Sequence, residues 1–175
     1  MKGQGQRQLG PWPGPGGSDG PYPPPRHDRN VVLTILTFDT GALDDWRRIH
    51  NEIIPTAPLS AADVEERAGR HHLEVAYLDE VAIGCSTVRA PEDDAVVVIA
   101  RVLPDHRRRG FGEQIYRRAL DRARGSGARH VDTVVLASNE DGLRFARKHG
   151  FVEIDRYLLP GDMIPFVDLR LGERA

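Results

Sequence analysis

A short basic and glycine-rich stretch is the part of this sequence best suited to bind a ligand. It reads Arg107-Arg108-Arg109-Gly110-Phe111-Gly112 and follows an uninterrupted apolar run, Ala95–Ala100. Such a β-branched run predicts a strand buried on both faces, and the apolar spacing after Gly110 predicts an amphipathic helix. Glycines at a helix start leave backbone N–H groups uncovered, and the adjacent arginines add positive charge. The stretch therefore predicts a site for a pyrophosphate group.

Two common phosphate-binding motifs do not fit this stretch. A nucleoside-triphosphate loop needs Gly-x-x-x-x-Gly-Lys-Ser/Thr, which the sequence lacks, and a dinucleotide fingerprint needs a third glycine where Ile115 stands. The pattern Arg/Gln-x-x-Gly-x-Gly/Ala does fit. With Val102-Leu103-Pro104 before the loop, and Asn139 and Gly150-Phe151 after it, the chain resembles the GNAT superfamily of acyl-CoA-dependent N-acetyltransferases. The resemblance covers roughly residues 31–171, by element order rather than by motif in the first half.

The composition fits one domain and disfavours some partners. The chain has 175 residues with 39% hydrophobic content, and its 24 Lys and Arg nearly balance 26 Asp and Glu. A near-neutral chain is not typical of a general binder of nucleic acids or anionic membranes, and no apolar run is long enough to span a membrane. The single cysteine, Cys85, excludes an internal disulfide and fits a reducing compartment, so we expect a cytoplasmic location.

Residues 1–29 differ sharply from the rest. They contain seven glycines and seven prolines and almost no aliphatic side chains. Such a segment cannot bury enough apolar surface to offset its ordering entropy, so we expect a disordered tail followed by one domain over residues 30–175. No apolar segment follows Lys2, which argues against a secretory signal. The proline-rich part of the tail, Pro21–Pro25, is either a polyproline ligand for a partner or an inert tail.

Hydrophobic periodicity and turn residues predict the order β-αα-βββ-α-β-α-ββ. The predicted strands are Val31–Phe38, Leu73–Leu78, Val81–Arg89, Ala95–Leu103, Val131–Ala137, Phe151–Leu158 and Phe166–Leu171. The predicted helices are Ala42–Glu52, a short one beginning at Ser60, Gly110–Arg124, and one from Ser138 or Asn139 to His149. This is the order of a mixed α/β domain of the GNAT type. The resemblance implies a central, mostly antiparallel sheet, flanked by helices, in which two parallel strands splay apart.

The resemblance also implies how acetyl-CoA is bound. In this family the pantetheine arm lies between the splayed strands like an extra strand. Here Val102 and Leu103 are expected to offer backbone groups to that arm, and residues 107–112 are expected to hold the pyrophosphate, mainly through backbone N–H groups. Phe111 is expected to pack against the sheet. Asn139 is expected either to hydrogen-bond the arm, to cap a helix, or both.

The resemblance implies direct attack of an amine on the thioester, and here the sequence departs from the family pattern. Many members place a tyrosine seven residues after the asparagine, as general acid toward the leaving sulfur. This chain has Ala146 there, beside Phe145. Tyr157, on the next predicted strand, is the nearest alternative donor in the sequence, although the residue types favour a half-buried strand aromatic over a catalytic role. A thiolate can also leave unassisted, because its pKa is only about 8.5.

The remaining reactive residues predict no further chemistry. The buried strand lacks the glutamate base that some relatives have, and the seven histidines show no metal-ligand spacing, so no metal site is expected. Cys85 is expected to be a small core residue and not a nucleophile. An acyl-enzyme intermediate is therefore not expected.

The sequence is compatible with three functions. The first is an N-acetyltransferase that acts on a primary amine of a small molecule or peptide through a ternary complex. The second is a noncatalytic acyl-CoA-binding or sensor domain, because the tyrosine and the glutamate are missing. The third is a nucleic-acid binder that uses the arginines of residues 107–124, which would require strongly salt-dependent affinity. A homodimer is expected only by analogy with the fold.

Overall fold

The computed structural model describes residues 33–37 and 40–172. The predicted tail, residues 1–29, lies outside the described residues. The strands are β1 (Leu33–Thr37), β2 (His72–Leu78), β3 (Val81–Val88), β4 (Ala95–Val102), β5 (His130–Leu136), β6 (Phe151–Tyr157) and β7 (Phe166–Leu171). The helices are α1 (Thr40–Ile53), α2 (Ala61–Arg70), α3 (Phe111–Arg124) and α4 (Glu140–Lys148), with a 3-10 turn at Pro104–His106.

The strands form one mixed sheet in the order β1-β2-β3-β4-β5-β7-β6. The described neighbouring strands are antiparallel except β4 and β5, which are parallel. The polypeptide crosses from β4 to β5 through α3, as a parallel connection requires. The predicted element order and the mixed, mostly antiparallel sheet are thus confirmed.

Helices cover both faces of the sheet and create two main apolar cores. On one face α3 and α4 pack against β4, β5 and β7, with Val98, Ala119 and Leu169 almost fully buried. On the other face α1 and α2 pack against β2 and β3 around Trp46 and Val64. Apolar burial on both faces of β3 and β4 explains why these strands read as continuous hydrophobic runs.

Capping residues and glycines mark the ends of several helices. Ser60 caps α2 in a reciprocal capping box with Asp63, and Gly150 ends the α4 segment at a φ of 87°. The glycines that follow α3 also supply a left-handed residue. The left-handed residue there is Gly127, with φ 80°, whereas Gly125 is right-handed because its N–H still bonds the last helical carbonyls.

Candidate functional site

A gap opens between the two parallel strands at the centre of the sheet. β4 and β5 pair only over Ala95–Val97 and His130–Asp132. Beyond these residues β4 continues to pair with β3, and β5 continues to pair with β7. The two strands therefore splay apart toward their carboxyl ends, as expected from the resemblance.

The register of β3 against β4 decides which backbone groups face the gap. The Leu103 N–H donates to the Ile83 carbonyl and the Arg89 N–H donates to the Val97 carbonyl, each at 2.9 Å. Because strand backbones alternate, odd-numbered residues of β4 turn their polar groups toward β3. Even-numbered ones, Ala100 and Val102, turn theirs toward the gap.

The two residues predicted to offer backbone groups to the arm differ in orientation, since the Val102 backbone faces the gap and the Leu103 N–H faces β3. The Val102 carbonyl accepts a hydrogen bond from Arg107 Nε at 3.0 Å. The Val102 N–H is directed at the gap by the strand register. The Leu103 N–H is bound to β3, its carbonyl accepts from the His106 N–H at 3.0 Å, and its side chain is buried in the core. The Leu103 N–H is therefore not available at the gap, contrary to expectation, whereas the backbone of Ala100 faces it.

The loop before α3 presents a row of free backbone donors. The sign of φ alternates along it, positive at Arg108 (61°) and at Gly110 (82°), which is the conformation that turns successive N–H groups toward one point. Within the described residues, no hydrogen bond engages the N–H groups from Arg108 to Glu113. These donors lie at the positive end of a helix, so the loop is built to hold an anion.

The arginines of this loop have different surroundings. Arg107 bridges the mouth of the gap, since it binds the Val102 carbonyl and lies 3.7 Å from the Asp141 carboxylate of α4. Arg108 also lines the mouth, together with Arg144 and Lys148 of α4. Arg109 is not among the lining residues, because its guanidinium stacks over the Phe111 ring at 5.1 Å.

Phe111 itself is buried against Leu78 and Ile83, as expected for a packing residue.

A cavity of about 590 Å³ runs from this loop through the gap. Its wall includes Gly110 and Gly112 of the loop, Phe145 of α4, and residues of both splayed strands. It also includes Ile54, which follows α1 on the other face of the sheet. The cavity therefore connects the anion-binding loop on one face with the α1–α2 side on the other.

Asn139 lines the cavity and caps α4 at the same time. Its side-chain oxygen accepts a hydrogen bond from the Gly142 N–H at 3.0 Å, which satisfies one free donor of the helix. The helix-cap interpretation is thus confirmed. The side-chain amide remains a donor at the cavity wall, so capping does not prevent a contact with a ligand.

Tyr157 lies next to the cavity but not in its wall. It is on β6, and β7 separates that strand from β5. Its ring stacks on Phe166, a wall residue, with 6.0 Å between ring centroids, and its hydroxyl donates to the Asp168 carboxylate over a long 3.5 Å. Burial raises the pKa of Tyr157, and burial together with nearby Asp155 raises the pKa of Asp168.

The wall residues that the sequence did not predict include Ala100, Arg101 and Tyr116. Tyr116 belongs to the apolar stripe of α3, and it follows Gly112 by four residues, so the two share a face of the helix. Arg101 was hidden inside an otherwise apolar strand. The spacing from Gly112 was the available signal for Tyr116, whereas the register that turns Ala100 to the gap is visible only in the folded sheet.

Other kinds of site find less support in the described part of the chain. No group of three or more His, Cys, Asp or Glu side chains there is arranged to hold a metal ion. The basic residues of α3 are largely engaged, because Arg117 pairs with Glu113 at 2.9 Å and Arg118 with the buried Glu74 at 3.1 Å.

Among the described helices, none is both long and apolar enough to cross a membrane.

Known structures share this architecture at low sequence identity. An N-acetyltransferase from Staphylococcus aureus is 15% identical, with a TM-score of 0.66 over 80% of this chain and 98% of the other. A Salmonella typhimurium protein assigned as an acetyltransferase, and solved with its cofactor acetyl-CoA, is 17% identical, with a TM-score of 0.66 over 82% and 96%. A ribosomal-protein-alanine N-acetyltransferase from Brucella melitensis is 14% identical, with a TM-score of 0.64 over 78% and 98%.

No curated protein sequence matches the chain significantly. The family comparison is decisive, since residues 40–151, well over half of the chain, match the acetyltransferase (GNAT) family. That range contains the splayed strands, the glycine loop and Asn139. A strand pair that opens beside a cradle of backbone donors, together with this match, leads to one assignment: the chain belongs to the acetyltransferase (GNAT) family.

Proposed function

We propose that the protein transfers an acetyl group from acetyl-CoA to a primary amine carried by a small molecule or a peptide. The observation that carries the proposal is the cavity through the sheet, with free backbone N–H groups at one end and an opening toward α1 at the other. We assign the activity to residues 30–175 and place it in the cytoplasm, with a homodimer as an additional proposal by analogy.

The residues present fit an acylated coenzyme. The N–H groups from Arg108 to Glu113 suit the pyrophosphate, and the cations of the mouth suit phosphate oxygens. Between the strands, the Ala100 backbone and the Val102 N–H suit the amides of the pantetheine arm, while Phe145 offers an apolar wall. Asn139 can donate its amide to the same arm.

The acceptor amine is expected to enter from the α1–α2 side, where the cavity reaches Ile54. In the transfer the amine nitrogen forms a bond to the thioester carbon, the carbon–sulfur bond breaks, the nitrogen loses a proton and the sulfur gains one. Holding both reactants in place supplies much of the rate. An acyl-cysteine route is disfavoured, since burial raises the pKa of Cys85 to about 11 and keeps it a neutral thiol.

Two phenols are candidates for the proton that the sulfur receives. Tyr116 lies in the cavity wall, and Tyr157 lies beside it against Phe166. Replacing each by phenylalanine separates them: loss of the donor lowers kcat by roughly 100-fold, whereas loss of a packing hydroxyl leaves kcat nearly unchanged. The measurement is thiol release at saturating acetyl-CoA.

The proposal is tested by calorimetry with acetyl-CoA and by thiol release with a panel of amines. Gly110→Ala is the informative variant, because Gly110 has a φ of 82° and nothing within 4 Å of an added Cβ. Gly127→Ala is the matched control, with φ 80°, equally open space and no part in the cavity. Both variants lose about 1–2 kcal/mol of stability through backbone strain, but only Gly110→Ala weakens acetyl-CoA binding. No heat from the wild-type protein, or equal affinities in both variants, contradicts the proposal.

A noncatalytic acyl-CoA sensor is the second candidate, and one observation favours it. The α4 position at which relatives carry the acidic tyrosine is Ala146, which lines the cavity and cannot donate a proton. Binding of acetyl-CoA without thiol release on any amine of the panel would favour the sensor over the enzyme.

A further inference from the structure

The end of the cavity toward α1 contains a cation that no residue of the described chain neutralises. Arg101 lines the cavity, and its Nη1 atom is buried without a hydrogen-bond partner among the described residues. A guanidinium nitrogen that is buried without an acceptor is costly. An unpaired nitrogen of this kind in a cavity wall is therefore a candidate for binding a ligand.

The surroundings of Arg101 contain no counter-charge. Its neighbour on β3 is the buried thiol of Cys85, whose sulfur accepts a hydrogen bond from the guanidinium but brings no counter-charge, and the guanidinium lies 5.9 Å from the Trp46 ring centroid. The charged side chains that act on it are two further cations, Arg67 of α2 and Arg89 after β3. The Trp46 ring offers a cation–π contact but no hydrogen-bond acceptor of the kind a guanidinium fork requires.

The strand register places Arg101 on the acceptor side. Arg101 pairs with Cys85, and Cys85 belongs to the core beneath α1 and α2. The side chain therefore points to the face opposite α3, away from the loop proposed for the pyrophosphate. Since the cavity crosses the sheet between these two faces, Arg101 is not needed for the phosphates of the coenzyme.

We propose that Arg101 recognises an oxyanion on the acceptor, so that the substrate is an amine that also carries a carboxylate or a phosphonate. This rests on the proposed acetyl transfer. A guanidinium binds such a group through two parallel N–H donors, and the acceptor anion satisfies Nη1. An amine without an anion leaves this cation unpaired and is a poor substrate.

The test compares matched amines: L-α-amino acids, their carboxamides, and aminoalkylphosphonates of similar length. The wild-type protein is expected to use acids or phosphonates with a KM roughly tenfold or more below that of the carboxamides. Arg101→Gln raises the KM for the anionic amines by the same factor, does not raise the KM for the carboxamides, and leaves the acetyl-CoA affinity unchanged. Arg101→Lys, which keeps the charge but not the fork, restores part of the preference.

Arg122→Gln is the control, because it removes one exposed arginine of α3 that does not line the cavity. It should leave the preference intact. A structural Arg101, held by the Trp46 ring and the Cys85 sulfur, predicts the reverse of our result: Arg101→Gln lowers the midpoint of thermal unfolding and affects every amine alike. Equal use of acids and carboxamides by the wild-type protein also overturns the inference.

A binding measurement keeps this test separate from the proposed function. The side-chain N–H resonances of Arg101 are followed by NMR as each acid, phosphonate and carboxamide is added, with and without coenzyme A. A shift caused by the anionic compounds alone supports the inference even if no thiol is released, and the absence of any shift overturns it. Failure to bind acetyl-CoA counts against the proposed function only.

Discussion

The two edges of β4 have opposite properties although they belong to one strand. On the β3 side the pairing extends over Val98–Val102 and is followed by a further bond from Leu103 to Ile83. On the β5 side it stops after Val97. One edge is closed by backbone hydrogen bonds, and the other opens into a cavity of about 590 Å³.

The two edges therefore differ in whether a substitution is expected to change the stability of the fold or the binding of a ligand. The closed edge has no room for change, because Gly84 of β3 passes so close to β4 that a Cβ would lie 2.6 Å from the Arg101 carbonyl oxygen. The open edge has room by design, since an added Cβ at Gly112 would meet Val102 at an ordinary 3.6 Å. We therefore expect closed-edge changes to cost folding energy and open-edge changes to cost ligand affinity.

The largest expected effect is at the closed edge, with Gly84→Ala. The new methyl group meets the Arg101 carbonyl at 2.6 Å and Ile115 Cδ1 at 2.8 Å, so β3, β4 or α3 must shift. We expect a loss of about 3 kcal/mol in the free energy of unfolding, measured by urea denaturation. The folded fraction should still bind acetyl-CoA. A stability loss below that of Gly127→Ala would show that the closed edge yields more easily than its geometry indicates.

A smaller effect concerns pH and a buried histidine on the face of the sheet that α1 covers. His50 of α1 stacks on Trp46 and donates from Nε2 to the Ala57 carbonyl at 3.1 Å. Burial, and then the positive charges of Arg101 and Arg67, lower the pKa of His50 from 6.5 to about 4. Between these two pH values the unfolded chain binds a proton that the folded protein does not bind, so acid favours unfolding.

We expect about 2 kcal/mol of stability to be lost as the pH falls through this window. The comparison is between wild type and His50→Phe, which keeps an aromatic ring on Trp46 but cannot titrate there. Urea denaturation near neutral pH and near pH 4 gives the difference between the two proteins at each pH. If wild type and variant lose stability equally, the unfavourable charging of His50 is not what weakens the protein in acid.

The sequence predicts the parts of this site that depend on local chemistry. The loop needs glycine at Gly110, where φ is positive, and helix signals fix where α3 and α4 begin. These features follow from a few neighbouring residues. The family resemblance added the splayed strands, which no local pattern in β4 or β5 reveals.

What could not be predicted depends on pairing between distant strands. In a run that is apolar on both faces, nothing marks whether Ala100 or Leu103 faces the gap, and a shift of one residue exchanges them. The same holds for Tyr157. Sequence proximity to α4 made it a candidate, but the sheet order places β7 between its strand and β5, and a register shift between Glu153 and Asp155 sets its face.

The smallest change in stability is also the sharpest probe of the open edge. Gly112→Ala and Gly69→Ala each place alanine in a helix, at a negative φ and without a close contact. Each is expected to raise the free energy of unfolding by about 0.5 kcal/mol, because alanine loses less backbone entropy than glycine. The two variants differ in position, since only Gly112 lies in the cavity wall, beside Val102 and Phe145.

A methyl group at Gly112 takes space from a coenzyme that packs against the N–H groups of the loop. We expect Gly112→Ala to weaken acetyl-CoA binding roughly tenfold by calorimetry, while Gly69→Ala binds like the wild type. One methyl group would then stabilise the fold and weaken acetyl-CoA binding, as expected for a change at the open edge. Unchanged affinity in Gly112→Ala would mean that the coenzyme does not approach the start of α3. The conclusion that the open edge of β4 serves ligand binding while the closed edge serves stability would then be wrong.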